Sequence, residues 1–291
     1  MPMARGIVIF RAEERRENSS FREIEMANII AEAASTSDLT YQASEGPYFN
    51  RKEQIERRQD MNSTKKTARI AGALYLVNGV TGFFSIIYVP SRLIVSGNAA
   101  ATANNILASE RLFRLGIVSE LICAVEFLFL VWVLYRLLGG VSKTQASLLV
   151  ILGLAFVPIM CVNALNEIAA LTLLRGTDFL SVFDKRQLEA MAMLFLDLHR
   201  YGFVVGWIFG LWLFPFGVLV YRSGFLPRIL GVLLIAACFG YLADSLTPLL
   251  LPSYEDVVGR IANIPLTLGE PTIILWLLFR GARDQPLEAA A

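Results

Sequence analysis

Six long apolar segments lie between Ala68 and Arg280, and they constrain the fold more than any motif in the chain. They cover residues 68–89, 115–138, 145–173, 191–221, 227–250 and 261–280. A bilayer core of about 30 Å needs about 20 helical residues, so each segment is long enough to cross it. The sequence therefore predicts an all-α polytopic membrane protein, a bundle of six transmembrane helices.

The composition agrees with a membrane protein. Hydrophobic residues make up 55% of the chain and charged residues 18%, and the mean hydropathy is +0.55. The hydrophobic fraction and the mean hydropathy lie above the averages of soluble proteins, and the charged fraction lies below its average. The net charge is +1, so no nucleic-acid partner is predicted. The lipid bilayer is the predicted partner, and a small-molecule ligand or a protein partner is left open.

The cysteine and histidine content predicts neither a disulfide framework nor a metal site. Cys123, Cys161 and Cys238 lie inside apolar segments and form no CxxC pair. Buried cysteine commonly acts as a small hydrophobic side chain. One histidine, His199, is present to join them, which is too few for a zinc site built from histidine and cysteine. No phosphate loop or dinucleotide glycine pattern occurs, so no cofactor is predicted.

Residues 1–60 differ in character from the rest of the chain. They contain nine basic and eleven acidic residues and no apolar run of membrane length. We predict a polar, disordered N-terminal extension, with one amphipathic helix over 19–34 as the alternative. Met61 opens a more ordinary start, which suggests that residues 1–60 are a gene-start overcall. Residues 61–284 form the predicted six-helix domain, and 285–291 form a short C-terminal tail.

The charges of the short loops predict the orientation of the bundle. With a cytoplasmic N-terminus, the inner segments near the membrane hold nine basic residues: Lys65, Lys66, Arg69, Arg136, Lys143, Arg222, Arg228, Arg280 and Arg283. The outer loops mix their basic residues with acids such as Glu110, Asp178 and Glu255. Because cytoplasmic loops carry an excess of Lys and Arg, we predict that both termini are cytoplasmic and that the protein is a multi-pass plasma-membrane protein.

A faint internal repeat accompanies the six segments. Arg69 and Gly72 open the first segment with the spacing that Arg228 and Gly231 show in the fifth. Likewise, a glutamate precedes an arginine by ten residues at the ends of the second and sixth segments. The pattern suggests that helices 1–2 and 5–6 are parallel repeats, with 3–4 a divergent third. The alternative is that inner membrane interfaces select aromatic and arginine endings anyway.

Two glutamates lie near mid-membrane. Glu126 is ten residues from Arg136, and Glu270 is ten from Arg280, which places both about 15 Å from the inner interface. At that depth Asn78 is the one polar residue we expect to satisfy them. We predict that Glu126 and Glu270 lie across one interior space, and that at least one of them is protonated at neutral pH.

The other polar side chains gather in the outer half. Glu120 and Asp244 lie about 24 Å above the inner helix ends. Asn163, Asn166 and Glu167 lie near or beyond that level. Asp197, His199, Arg200 and Tyr201 lie about 30 Å above Tyr221, among the outer headgroups.

The spacing on the fourth segment predicts one ion pair. Asp197 and Arg200 share a helix face and can pair, whereas His199 points about 100° away from Arg200 around the helix.

We predict that these side chains line an acidic cavity open to the outside, with Glu126 and Glu270 at its floor. The candidate residues are Asn78, Glu120, Glu126, Asn166, Glu167, Asp197, His199, Arg200, Tyr241, Asp244 and Glu270. A charged group inside the bilayer needs a partner or a wet cavity, because its burial costs about 2.5–3.5 kcal/mol. The alternative is a set of interhelical hydrogen bonds and ion pairs that stabilise the bundle.

Known intramembrane chemistries do not fit the sequence. A rhomboid-like protease needs a Gly-x-Ser-Gly turn at membrane depth, which does not occur. An intramembrane zinc hydrolase needs several histidine or aspartate ligands. An interface histidine that forms a hydrogen bond is favoured over His199 as a catalytic base. The sequence thus favours a protein that is not an enzyme, and its catalytic residues are unknown.

Several short motifs along the chain belong together: His199-Arg200-Tyr201-Gly202-Phe203, Tyr221-Arg222-Ser223-Gly224-Phe225-Leu226-Pro227, Gly240-Tyr241-Leu242-Ala243-Asp244, Arg69-Ile70-Ala71-Gly72, Thr102-Ala103-Asn104-Asn105-Ile106 and Glu270-Pro271. With these motifs the chain resembles domain-of-unknown-function family 4386, a family of bacterial six-helix membrane proteins. It covers about residues 64–284 and leaves residues 1–60 outside. It implies an integral membrane protein and brings with it no reaction, ligand or catalytic residue.

Three functions of different class remain open from the sequence. The favoured one is binding or transport of a small molecule or ion through the outer cavity, because acids on two helices suit proton or cation coupling. The alternative is a membrane component without catalytic activity that senses or assembles with partners. The third is a lipid-directed enzyme, with His199 and either Asp197 or Asp244 as acid–base groups.

Overall fold

The computed structural model describes residue 26, residues 62–205 and residues 210–283. Eight longer helices occur in these residues, and no strand is found among them: α1 Asn62–Leu93, α2 Ala99–Ala108, α3 Glu110–Leu138, α4 Lys143–Arg175, α5 Lys185–Val205, α6 Leu213–Arg222, α7 Arg228–Leu250 and α8 Glu255–Leu275. Two short 3-10 helices, Asp178–Leu180 and Pro252–Tyr254, and a π-helical segment that continues α8, Trp276–Arg280, are also described. The predictions for 1–60 and 285–291 concern residues outside this part, apart from Met26, and stay predictions.

Five helical runs are long and apolar enough to cross a membrane. They are α1, α3, α4, α7 and Pro252–Arg280, the run that contains α8. Large apolar side chains are exposed on these runs, such as Ile151 at 65%, Phe239 at 58% and Ile264 at 60%. Exposure of so much apolar surface to water is unfavourable, whereas the same surface can contact lipid chains at no such cost. The fold is therefore a membrane-embedded helical bundle.

The predicted fourth span, 191–221, is described in two parts and stays a prediction. The helix α5 is described to Val205, residues 206–209 lie outside the described part, and α6 begins after Trp212. Because α6 has 10 residues, it extends about 15 Å and is too short to cross alone. Five candidate spans rather than six are thus found in the described residues.

A short helix that the sequence did not predict follows α1. The helix α2 begins after Asn98, whose side-chain Oδ1 accepts a hydrogen bond from the backbone N–H of Ala101 at 3.0 Å. Asparagine at this position caps orphan N–H groups of the first helical turn. With 10 residues, α2 is below membrane length, so a pattern of long apolar segments does not predict it.

The centre of the bundle is an aromatic cluster around Trp212, which is fully buried. Its ring centroid lies 5.9 Å from that of Tyr75, 5.2 Å from that of Phe127 and 5.6 Å from that of Phe216. These distances are typical of favourable aromatic pairs. Because the four residues come from α1, α3 and the region of α6, one core joins distant parts of the sequence.

Two glycines allow helix backbones to approach closely. A Cβ atom on Gly72 of α1 would lie 2.5 Å from the backbone nitrogen of Leu278, and one on Gly231 of α7 would lie 2.5 Å from the carbonyl oxygen of Gly217. Any larger residue would force these helices apart. The first helix therefore packs against the last, and α7 packs against α6, at the two glycines that share a position in the sequence repeat.

The basic ends of several helices meet at one end of the bundle. The backbone N–H of Arg283 donates to the carbonyl oxygen of Phe225 in the α6–α7 loop at 2.8 Å. Gly281 lies beside the backbone of Lys65 at the start of α1. A second apolar cluster, which includes Val89, Phe113 and Leu180, packs the opposite ends of the helices.

Candidate functional site

The candidate polar residues fall into separate groups in the structure. The first, here called the histidine cluster, joins Glu120 of α3, Glu167 of α4 and His199 of α5. The Nε2 atom of His199 lies 2.9 Å from Oε2 of Glu120 and 3.9 Å from Oε1 of Glu167. One potential ligand atom from each residue lies within 4.8 Å of the other two. Three helices thus bring two acids and one base to one point.

The histidine cluster is almost completely buried. The relative exposures are 0% for Glu120, 3% for Glu167 and 6% for His199. Oε1 of Glu120 and Oε2 of Glu167 accept no hydrogen bond from any described residue. Buried carboxylate oxygens are nearly always hydrogen-bonded, because leaving one without a donor costs about 1–3 kcal/mol. The cluster therefore has capacity for a further proton or cation.

The polypeptide around His199 is held by α4. The side-chain Nδ2 of Asn163 donates to the backbone carbonyl oxygen of His199 at 3.1 Å. This contact requires Gly202, because a Cβ atom there would lie 1.8 Å from Oδ1 of Asn163. Asn163 and Glu167 are four residues apart and share one face of α4. One face of α4 thus supplies both a carboxylate and an anchor for the histidine.

Apolar side chains close the histidine cluster from both sides along the helices. Ile117, Leu171 and Leu196 lie about one turn from its three members and belong to the apolar cluster at the outer helix ends. Ala124 and Phe203 lie one turn away in the opposite direction, where they pack with Met160. Because these layers exclude water, charge–charge interactions inside the cluster are strong.

The structure brings His199 to a carboxylate on another helix. We predicted His199 among the headgroups, about 30 Å above Tyr221, and Glu120 about 24 Å from the inner end, and the two side chains are in contact. Their depths in the membrane stay predictions. The 100° separation of His199 from Arg200 is confirmed, since His199 is buried and Arg200 is exposed.

Asp197 and Arg200 form the ion pair that their spacing predicted. Nε of Arg200 lies 3.8 Å from Oδ1 of Asp197, and the side chains are 57% and 45% exposed. The Arg200 guanidinium also lies over the Tyr201 ring, 4.5 Å from its centroid. These residues form a solvated surface group, separate from the histidine cluster.

A second buried group, here called the tyrosine clasp, surrounds Glu270 of α8. The Tyr75 hydroxyl donates to Oε2 of Glu270 at 2.5 Å, and the Tyr241 hydroxyl donates to Oε1 at 2.7 Å. Each carboxyl oxygen therefore has a donor. Tyr75 was not among the predicted candidates, although it lies only six residues after Arg69, about 9 Å deep. A tyrosine side chain is long, so its hydroxyl can lie several ångströms from the level of its own backbone. This reach is the signal that could have identified Tyr75.

Asn78 and Glu126 lie between α1 and α3. Nδ2 of Asn78 donates to the backbone carbonyl oxygen of Cys123 at 3.2 Å, and the Glu126 carboxyl lies near the Asn78 amide. Glu126 is 8% exposed, and neither of its carboxyl oxygens accepts a hydrogen bond from the described residues. Asn78 lies one turn from Tyr75 on α1, so that helix connects Glu126 to the tyrosine clasp. A single space shared by Glu126 and Glu270 stays a prediction.

Asn166 and Asp244, the remaining candidates, lie in different surroundings. Asn166 is half-buried on α4, next to Glu167 in sequence. Asp244 is exposed on α7, and a Cβ atom on Gly259 of α8 would lie 3.5 Å from its Oδ1. The lipid-directed interpretation, with His199 and either Asp197 or Asp244 as acid–base groups, stays a prediction, and in the structure His199 contacts Glu120 and Glu167.

Fold and site together define a polytopic helical membrane protein with ionisable clusters buried inside its bundle. Residues 70–281 match the family described as Domain of unknown function (DUF4386), which is more than half of the chain. The chain belongs to this family, and the resemblance drawn from its motifs is confirmed.

One curated relative and the solved structures complete the comparison. Over 80 residues the chain is 36% identical to an "Uncharacterized protein" of Archaeoglobus fulgidus, which covers 27% of this chain. The match spans 46% of the relative, so it covers less than half of that protein's length. No solved structure matches the chain.

Proposed function

We propose that this protein binds a small cation or protons at the histidine cluster and carries them across the plasma membrane. The observation that supports it best is that Glu120 and Glu167 each place one carboxyl oxygen within 3.9 Å of His199 Nε2 and leave the other oxygen unpartnered. Ionisable side chains inside a membrane commonly mark ion or proton pathways, because their burial is costly without such a role.

The position of the cluster between two apolar layers supports transport over permanent structural pairing. A carrier must close its site from both sides of the membrane in turn. Because the three members come from α3, α4 and α5, a small movement of one helix would open the cluster. An ion that neutralises the carboxylates would favour the closed arrangement.

For the topology, we propose six crossings with both termini cytoplasmic, where α5 and α6 together make the crossing that neither makes alone. Support comes from the basic residues near Lys65, Phe225 and Arg283, whose backbones meet at one end of the bundle. Reporter fusions after Arg136, Arg222 and Arg280 should be cytoplasmic, and those near Gly176 and Tyr254 external. An external reporter after Arg222 would overturn the arrangement.

Transport is tested in liposomes that contain the purified full-length protein. A trapped pH-sensitive dye reports proton movement when a pH gradient or a gradient of Na⁺, K⁺, Mn²⁺ or Zn²⁺ is applied. We expect flux from the native protein and none from Glu120→Gln or Glu167→Gln. The control is Glu189→Gln, which alters a carboxylate on α5 that is 8% exposed and pairs with Lys185 at 3.7 Å.

Two results would reject the transport proposal. One is equal flux from native protein, from Glu120→Gln and from empty liposomes under all gradients. The other is native flux that persists in the folded Glu120→Gln and Glu167→Gln variants, which would place the pathway elsewhere. Binding without flux would favour the sensing alternative.

A further inference from the structure

We propose that Glu120, Glu167 and His199 bind one divalent transition-metal ion of the Zn²⁺ class. The inference rests on the proposed function and names its ion. Each residue offers one ligand atom, and the three atoms lie within 4.8 Å of one another. The unpartnered oxygens of Glu120 and Glu167 are an independent sign that the cluster is built for an additional ligand.

The spacing of the ligand atoms fits a small metal ion. Zn²⁺ binds histidine nitrogen and carboxylate oxygen at about 2.1 Å, so two ligands of a tetrahedral ion lie about 3.4 Å apart. The distances from His199 Nε2 to Glu120 and Glu167 are 2.9 Å and 3.9 Å, on either side of that value. Side-chain shifts of about half an ångström would equalise them, which carboxylates on adjacent helices can make.

The ligand types select among cations. Imidazole with carboxylates suits Zn²⁺ and neighbouring first-row divalent ions, whereas Ca²⁺ takes six to eight oxygen ligands and Mg²⁺ retains several waters. The apolar layers around the cluster leave little polar material for so many ligands. A site with three protein ligands and low coordination number therefore favours Zn²⁺ over Ca²⁺ or Mg²⁺.

Charge balance favours a divalent ion. Two carboxylates, a neutral imidazole and a divalent cation sum to zero, so the loaded cluster would carry no net buried charge.

The test uses metal-stripped, full-length protein in detergent micelles. Calorimetric titration with ZnCl₂ gives the stoichiometry and the Kd. We expect one Zn²⁺ per chain, with weaker Mn²⁺ binding. Glu167→Gln and His199→Asn should each weaken binding by more than about 100-fold, beyond the loss caused by removing an outer-shell partner.

Matched variants separate this site from others that bind zinc. Glu189→Gln and Cys123→Ser should bind Zn²⁺ with nearly the native Kd, and the circular dichroism of every variant confirms its helices. Native binding no tighter than that of Glu167→Gln would overturn the metal proposal. Proton flux in liposomes without Zn²⁺ binding would leave the proposed transport intact, whereas Zn²⁺ binding without flux would leave the metal site intact.

Discussion

The histidine cluster and the tyrosine clasp are both buried groups centred on glutamate, yet their hydrogen bonding is opposite. Both oxygens of Glu270 accept a hydrogen bond from a tyrosine hydroxyl, whereas Glu120 and Glu167 each retain an unpartnered oxygen. A carboxyl group with every acceptor satisfied by fixed donors stabilises its surroundings. A carboxyl group that retains an unpartnered oxygen can accept a ligand that binds reversibly.

The two groups also differ in the size of the apolar clusters that surround them. Tyr75 of the tyrosine clasp belongs to the main core, where its ring contacts Trp212 and Phe216. The histidine cluster lies between two smaller apolar clusters. A group inside the main core cannot move without disturbing several helices, whereas one between smaller clusters can. We expect stability to depend on the tyrosine clasp and ion binding to depend on the histidine cluster.

Removal of both hydroxyls from the tyrosine clasp should have the largest effect on stability. Tyr75→Phe with Tyr241→Phe leaves the Glu270 carboxyl buried without donors, which should cost about 3–5 kcal/mol. The check is the midpoint of unfolding in mixed detergent micelles. Tyr135→Phe with Tyr254→Phe, at tyrosines 38% and 58% exposed, is the control. Equal losses from the two pairs would contradict a structural role for the clasp.

The substitution Gly202→Ala, beside the histidine cluster, should cause a smaller loss of stability together with weaker ion binding. In Gly202→Ala the Asn163 amide must move, because the added atom would lie 1.8 Å from its Oδ1. We expect a loss of about 1–3 kcal/mol and weaker ion binding. The control is Gly79→Ala, where the nearest atom to the added Cβ is a side-chain carbon at 3.8 Å. Native ion affinity in Gly202→Ala would show that Asn163 does not position His199.

Glu120→Gln should separate ion binding from stability. The amide keeps an oxygen that can accept the hydrogen bond from His199 Nε2, so the unfolding midpoint in the absence of metal should change little. Ion binding should be lost. A fall comparable to that of the double tyrosine variant would mean that Glu120 and His199 are a structural pair.

Arg200 should matter least. Its ion pair with Asp197 is exposed, and such pairs contribute about 0–1 kcal/mol. Arg200→Ala and Arg92→Ala should therefore lower the unfolding midpoint by the same small amount, since Arg92 likewise lies over a tyrosine ring. A distinctly larger loss for Arg200→Ala would indicate a buried acidic partner.

The sequence by itself determined the membrane class, the family and the bounds of most long helices. Predicted spans such as 115–138 and 145–173 fall inside α3 and α4, because apolar length is a local property that bilayer thickness selects. It also determined which face of α5 His199 occupies relative to Arg200, since that follows from helical geometry alone.

Tertiary structure decided the partners of each carboxylate. Tyr75 reaches Glu270 across 195 residues of sequence, and His199 reaches Glu120 across 79. Linear spacing does not specify which helices become neighbours, because that depends on close approaches such as Gly72 against Leu278 and on the packing around Trp212.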